Sequence, residues 1–298
     1  MIATLRRTML FVPGNDPALV KDPHIYGSDS LIFDLEDSVA PTEKDAARLL
    51  VWSALRSLDF GRVEKAVRIN GLDTPWAAED VRAMVRAGVD VVRLPKTETA
   101  DDVRTLEAMV AREERACGLP EGRIRLMAAL ESPLAVINAL EIARSSPRLV
   151  GIALSAEDFV TSMRTNRSSD GSELFYARGR IVVAAKAAGI MAIDTVFTSL
   201  DDVEGFLRET RLVKQMGFDG KSVINPAQIP LVHGVFAPTQ DELRRSRRVL
   251  AAAREAAARG IGVISLDGRM VDKPIVERAR RVVDLALASG MKVEEEAR

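Results

Sequence analysis

Histidine and cysteine are nearly missing from this chain of 298 residues, which holds two of the first and one of the second. A single thiol, Cys117, rules out an intrachain disulfide and fits a reducing, cytoplasmic compartment. It stands in Arg115-Ala-Cys-Gly118, at an expected helix end, and reads as a small helical residue rather than a nucleophile. His24 and His233 fall at no expected strand end, which argues against histidine acid–base catalysis. An excess of charge is lacking too: 42 Lys and Arg stand against 43 Asp and Glu, a net charge of −1. That balance argues against nucleic acid as the main partner. No stretch of 18 apolar residues exists, so no membrane span is expected, and the first residues do not resemble a signal peptide. No Gly/Ser linker divides the chain. The residues from Lys292 onward are expected to form a solvated tail.

What the chain does contain is alternation. Short apolar runs read as strands at Thr8–Val12, Ser30–Leu35, Ala66–Ile69, Val91–Leu94, Leu126–Leu130, Val150–Leu154, Met191–Phe197 and Gly220–Ile224. Helical patterns lie between most of them, among them Thr42–Ser57, Pro75–Ala87, Ala100–Ala116 and Gly171–Ala188. Gly88 and Gly189 suit left-handed helix C-caps. Strand–helix alternation predicts parallel strands with crossover helices, and eight units predict an α/β fold closed as a (β/α)8 TIM barrel. Two further helices, Gln240–Arg259 and Lys273–Ser289, are surplus to a barrel. The expected division is a catalytic barrel over residues 1–235 and a C-terminal helical extension over 236–298. Periodicity leaves open whether the extension packs on its own barrel or reaches a neighbouring subunit.

Barrel active sites form at the C-terminal ends of the strands. This sequence places Asn15, Asp34, Glu36, Asp37, Arg68, Asn70 and Lys96 there, followed by Glu131, Asp158, Asp194, Lys221 and Asn225. Glu131 and Asp158 end consecutive strands and lie 27 residues apart, about one strand–helix–strand repeat. Parallel strands bring such ends together. Two carboxylates with no histidine cluster favour Mg2+ or Mn2+ over zinc, and magnesium is often held by one or two carboxylates. The competing reading is that these acids cap the helices that follow them. Arg68, alone in the apolar strand Ala66-Val-Arg-Ile, needs an anion: an internal carboxylate, or a substrate carboxylate held bidentately. In Asp34-Leu-Glu-Asp37, Asp34 and Glu36 point the same way by alternation, and one or two of the acids are expected to pair with Arg68 or Lys96. Lys96 and Lys221 also raise a Schiff-base aldolase reading. Asp267 and Asp272, around Gly268 and before Pro274, read locally as turn and cap residues.

Several segments together resemble a known family. They are Arg7-Thr-Met-Leu-Phe-Val-Pro-Gly14, Phe33-Asp-Leu-Glu-Asp-Ser-Val39, Val91-Val-Arg-Leu-Pro-Lys-Thr97, Glu131-Ser-Pro133, Gly151-Ile-Ala-Leu-Ser-Ala-Glu-Asp158, Gly217-Phe-Asp-Gly-Lys-Ser222 and Asp267-Gly-Arg-Met-Val-Asp272. In this order, over nearly the whole chain, they resemble the citrate lyase β-subunit family within the HpcH/HpaI aldolase-like, citryl/malyl-thioester lyase superfamily. The resemblance implies a Mg2+-dependent carbon–carbon lyase acting on a hydroxy-acid thioester, citryl-CoA or a citryl acyl carrier protein. It implies that Glu131 and Asp158 hold the metal and that Arg68, Glu131 and Glu36 contact substrate, with Arg68 also serving the reaction. It implies that Asp272 reaches a neighbouring subunit's site as the acid/base. It also implies a homotrimer or hexamer, with citrate lyase α and acyl carrier subunits as partners. Asn225, a histidine in many relatives of the broader family, favours the citrate branch. The alternatives are a malyl-CoA or citramalyl-CoA lyase, or a non-catalytic subunit of a complex.

Overall fold

Every expected strand is present in the computed structural model, which describes residues 5–259 and 262–291; the expected tail from Lys292 lies outside them. The strands are β1 (Thr8–Pro13), β2 (Ser30–Asp34), β3 (Glu64–Arg68), β4 (Val91–Leu94), β5 (Arg125–Leu130), β6 (Leu149–Leu154), β7 (Met191–Asp194) and β8 (Gly220–Val223). They pair in sequence order, all parallel, and β8 returns to β1 to close the barrel. The helices around them are α1 (Pro17–Val20), α2 (Lys44–Ser57), α3 (Ala77–Ala87), α4 (Ala100–Ala116), α5 (Pro133–Ile137), α6 (Ala139–Ala143), α7 (Ala156–Ser162), α8 (Phe175–Ala188), α9 (Val203–Met216) and α10 (Gln228–Phe236). No helix among the described residues is long and apolar enough to cross a membrane.

Alternation along the strands sorts the side chains. Met9, Ile32, Ala66, Val91, Met127, Ala153 and Ile193, one from each of β1 to β7, form a buried cluster that fills the barrel interior. Two residues further on, the same face carries Phe11, Asp34, Arg68 and Arg93. The polar layer of the barrel mouth is therefore the next layer of the interior, one step above an apolar floor.

The opposite parity faces the helices. Asp194 follows the inward Ile193, so its carboxylate turns outward and meets Arg178 of α8 at 2.9 and 3.1 Å. Lys221 of β8 reaches the same carboxylate at 2.7 Å, Glu209 of α9 at 2.7 Å and the Thr195 carbonyl at 2.8 Å. Two cations and two anions thus neutralise one another between barrel and helix layer, where an unpaired charge would be costly. Asp194 and Lys221 were expected in the active-site ring; they are instead fully buried and structural. The expected strand Met191–Phe197 stops at Asp194 for a related reason. The Thr195 and Phe197 carbonyls accept from the side chains of Lys221 and Gln228, not from a neighbouring strand.

By their internal contacts the described residues divide into two units, one of Arg6–His233 and one that begins at Gly234 and includes Leu5. Within the second unit, α11 (Gln240–Ala258) starts at a capping box of Thr239 and Glu242, and α12 (Lys273–Ala288) starts at Asp272. Between them, β9 (Ile264–Leu266) and β10 (Arg269–Val271) form an antiparallel hairpin. Its two-residue turn, Asp267-Gly268, has positive φ at both positions (53° and 72°), the signature of a primed hairpin turn. Val249, Val271 and Ala279 form the small core of this unit.

Closure of the barrel has one steric requirement. A Cβ on Gly220 would lie 1.8 Å from the Arg6 carbonyl oxygen, where β8 meets the approach to β1. Gly220→Ala is expected to destabilise the protein by at least ~1–3 kcal/mol, the usual range for forced overpacking. Urea unfolding of the variant against wild type measures it.

Candidate active site

The carboxylate of Asp34, at the end of β2, organises the mouth of the barrel. It accepts from the Glu36 and Ser38 backbone N–H groups at 3.0 and 3.1 Å, which folds the acidic loop back on itself. It also accepts from Arg68 Nε and Nη2, both at 2.7 Å. Burial alone would raise the Asp34 pKa, but the hydrogen bond and charge of Arg68 outweigh it and hold the carboxyl below its ordinary value. Lys44 completes the loop from below, donating to the Leu35 and Glu36 carbonyls at 2.9 and 2.7 Å.

Arg68 thus has an internal carboxylate as its fork partner. Its Nη1 lies 2.9 Å from Glu36 Oε2, an ion pair that lacks hydrogen-bond geometry. Glu36 is also bound by Lys96 Nζ at 2.6 Å. Lys96 adopts a left-handed backbone (φ 48°), uncommon for a residue with a side chain. Burial lowers the Lys96 pKa, and the hydrogen bond and charge of Glu36 more than reverse this, so the ammonium stays protonated. A protonated Lys96 and a Lys221 locked between two carboxylates both oppose the Schiff-base reading.

Glu131 follows β5 and is buried, 3% exposed, with both carboxylate oxygens lacking any hydrogen-bond partner. Burial first, then the charges of Asp158 and Glu36, push its pKa up to about 7; Arg68 and Arg93 pull the other way. Asp158 sits in the first turn of α7, half-buried, and burial followed by Asp37 raises its pKa against the pull of Lys96 and Arg68. The capping alternative for Glu131 does not hold. Ser132, not Glu131, caps α5, accepting from the Ala135 N–H at 3.2 Å.

A cavity of about 310 Å³ opens at the barrel mouth, lined by Phe11, Asp34, Asp37, Arg68, Arg93, Glu157, Asp158 and the ends of β6 to β8. Among its lining residues, Asp34, Asp37, Glu157 and Asp158 outnumber Arg68 and Arg93 as formal charges. No group of three or more His, Cys, Asp or Glu among the described residues is arranged to hold a metal. A two-carboxylate, all-oxygen donor pair, with both Glu131 oxygens orphaned, suits a hard divalent cation that keeps water and substrate as its other ligands.

Arg93 was missed as a candidate. It is 1% exposed, pairs in register with Arg68, and its guanidinium lies 5.2 Å from the Phe11 ring centroid. Its Nε and Nη1 have no hydrogen-bond partner. Burial, then repulsion from Arg68, pushes its pKa down to about 10 despite the Glu131 charge. The signal was available: Val91-Val-Arg-Leu is a lone cation in an apolar strand, the same pattern that singled out Arg68.

Other expected ring members do different work. Asn70 is tied to Asp80 of α3 at 2.7 Å, and the Asn225 side chain accepts from the Ala227 N–H at 2.9 Å as a turn residue. His233 pairs with the Thr8 hydroxyl at 2.9 Å, and His24 packs edge-on against Phe60. Cys117 is the exposed C-cap of α4. Asp272, in the second unit, is the N-cap of α12, accepting from the Ile275 N–H at 3.2 Å, and Asp267 pairs with Arg248 at 2.6 Å. The local turn-and-cap reading of both aspartates describes their geometry.

Glu131 sets a pH dependence. Its folded pKa of about 7 lies above the ordinary 4.5, so the folded state binds the extra proton between those values. Metal-free protein is therefore expected to lose stability as pH rises from about 4.5 through 7, by up to about 3 kcal/mol. Glu131→Gln removes that part of the slope. Thermal melts of both proteins in EDTA at pH 5.5 and 8 test it, and equal slopes would refute the assignment.

Comparison with known proteins follows the same lines. Residues 7–226 match the HpcH/HpaI aldolase/citrate lyase family model. The chain is 57% identical to the citrate lyase subunit beta of Leuconostoc mesenteroides subsp. cremoris over 96% of this chain and 94% of that protein. A Mycobacterium tuberculosis CitE structure in complex with magnesium, acetoacetate and coenzyme A superposes with a TM-score of 0.77 at 31% identity, covering 97% of this chain and all of that one. The M. tuberculosis citrate lyase beta subunit complexed with oxaloacetate and magnesium gives 0.67 at 31% identity, over 78% of this chain and 98% of that one. This chain belongs to the HpcH/HpaI aldolase/citrate lyase family.

Proposed function

We propose that the barrel mouth cleaves the carbon–carbon bond of a citryl thioester, releasing oxaloacetate and an acetyl thioester. The enzyme is a carbon–carbon lyase acting on an oxo-acid precursor. The observation that carries the reading is the buried, unpartnered Glu131 carboxylate beside Asp158 at the mouth of an interior lined by guanidinium groups. Glu131 and Asp158 are the residues to hold Mg2+, with Mn2+ as a substitute. Bound there, the ion would supply Lewis acidity to the oxygen atoms of the hydroxy acid.

The chain's own residues do the rest. Asp34 occupies two N–H groups of Arg68 and fixes its plane, which leaves three of the five guanidinium donors for Glu36 and substrate. Arg68 thereby offers a pre-oriented positive charge where the oxygen atoms of the hydroxy acid gather negative charge. Glu36, held by Lys96 and Arg68, contacts the same substrate end. Asp272, contributed by the C-terminal unit of a neighbouring copy, protonates the methylene carbon of the departing acetyl thioester enolate, while the hydroxyl proton released as the carbon–carbon bond breaks passes to water, so the proton count balances. That role rests on the motif Asp267-Gly-Arg-Met-Val-Asp272. The thioester carrier is coenzyme A or an acyl carrier subunit. A homotrimer or hexamer working with citrate lyase α and acyl carrier subunits in the cytoplasm completes the proposal.

The direct test is a lyase assay with citryl-, malyl- and citramalyl-thioesters. Oxaloacetate release with Mg2+, lost in EDTA, is expected; preferential cleavage of a malyl or citramalyl thioester would move the assignment within the family, and no cleavage would point to a non-catalytic subunit. Asp272→Asn is expected to lower kcat by about 10²- to 10⁴-fold with little change in melting temperature, because asparagine caps a helix as well as aspartate does. Mixing Arg68→Met and Asp272→Asn proteins through unfolding and refolding should regain activity if the aspartate acts in trans. No recovery would sink that arrangement.

A further inference from the structure

We infer that Arg93 binds the second carboxylate of the substrate, the group that separates a citryl thioester from its malyl and citramalyl counterparts. The inference rests on the citryl reading above and names the residue that reads the substrate's extra charge. In a citryl thioester the carbon bearing the hydroxyl and one carboxylate also carries a CH2–COO⁻ arm. A citramalyl thioester has a methyl group there and a malyl thioester a hydrogen. The carboxylate beside the hydroxyl is served by the metal site and Arg68. The arm brings a second negative charge into a cavity already rich in carboxylates, and it needs a cation with free donors.

The cations around the cavity differ in what they have left. Arg68 gives two donors to Asp34 and lies against Glu36. Lys96 is held by Glu36 at 2.6 Å, with Asp37 at 3.5 Å. Lys44 is spent on two backbone carbonyls. Arg93 lines the cavity, is 1% exposed, and its Nε and Nη1 have no hydrogen-bond partner. A buried guanidinium in that state is costly without an anion, and its planar fork matches a carboxylate.

Glu131 is not that anion. Its charge acts on Arg93, yet both Glu131 oxygens and these two Arg93 nitrogens are unpartnered, so they do not hydrogen-bond to each other. Two buried groups of opposite charge, each unpaired, are each left for a third species: a cation for Glu131 and an anion for Arg93. The register Arg68↔Arg93 sets the two guanidinium-bearing residues on adjacent strands at one level of the interior. Phe11 lies against both, 5.1 Å from Arg68 and 5.2 Å from Arg93, and keeps the side chains in place. Adjacent guanidiniums at one level fit a dicarboxylate better than a monocarboxylate.

The test compares ligands that differ only in this group. Binding of oxaloacetate and of pyruvate is measured by calorimetry on the full-length protein with Mg2+, together with kcat/KM for citryl and citramalyl thioesters. Wild type is expected to favour oxaloacetate and the citryl thioester. Arg93→Met should lower that preference on the order of 10- to 100-fold, the usual effect of deleting a hydrogen bond to a charged group, while pyruvate binding changes little. Arg93→Lys, which keeps the charge but loses the fork, should fall between, and it serves alone if the methionine variant does not fold. An equal loss for both ligands, or an unchanged ratio, assigns Arg93 a structural role and overturns the inference. Wild-type protein that cleaves citryl thioester without preferring oxaloacetate over pyruvate overturns it too, leaving the lyase reading intact. Failure of wild type to cleave any citryl thioester removes both.

Discussion

The bidentate pair of Asp34 and Arg68 inside the barrel is the interaction on which the site depends. It joins β2 to β3 at the level where the apolar interior ends. Asp34 also gathers the backbone N–H groups of its own loop, so one carboxylate fixes both the shape of the acidic loop and the plane of the guanidinium. Glu36 and Lys96 then take positions relative to Arg68. A buried ion pair of this kind adds little net stability, since desolvation offsets much of its attraction. Its contribution is orientation: the fork fixes the plane of the guanidinium before any ligand arrives.

Two buried ionic groups in this barrel show how burial and pairing separate structure from chemistry. Between barrel and helices, Arg178, Asp194, Lys221 and Glu209 neutralise one another, and of their buried polar atoms Arg178 Nη1 alone lacks a hydrogen-bond partner. At the mouth, Glu131 and Arg93 are equally buried but unsatisfied. Burial of a charge without a partner is unstable in isolation. On the proposed function, a metal ion and an anionic substrate are the missing partners. Excess carboxylate over cation at the mouth is the electrostatic form of the same statement.

Much of this was legible in the residues. Eight apolar runs with helical spacers specify a barrel, because parallel strands require crossovers and the strand count sets closure. Alternation placed Asp34 and Glu36 on one side, and the lone cation of β3 called for an anion. Arg93 went unrecognised although its strand shows the same lone-cation pattern as β3. Asp194 and Lys221 were misplaced because a strand-end position does not state parity: Ile193 packs inside, so Asp194 must face out.

The amino-acid sequence by itself determined the barrel and the polar composition of its mouth, for these follow from period and count. Only the tertiary structure decided which charges are spent and which are free. Pairing depends on parity and on partners distant in the chain, such as Asp34 with Arg68 or Lys221 with Glu209. Those distances in space are set by closure of the barrel, and no local reading of the chain contains them.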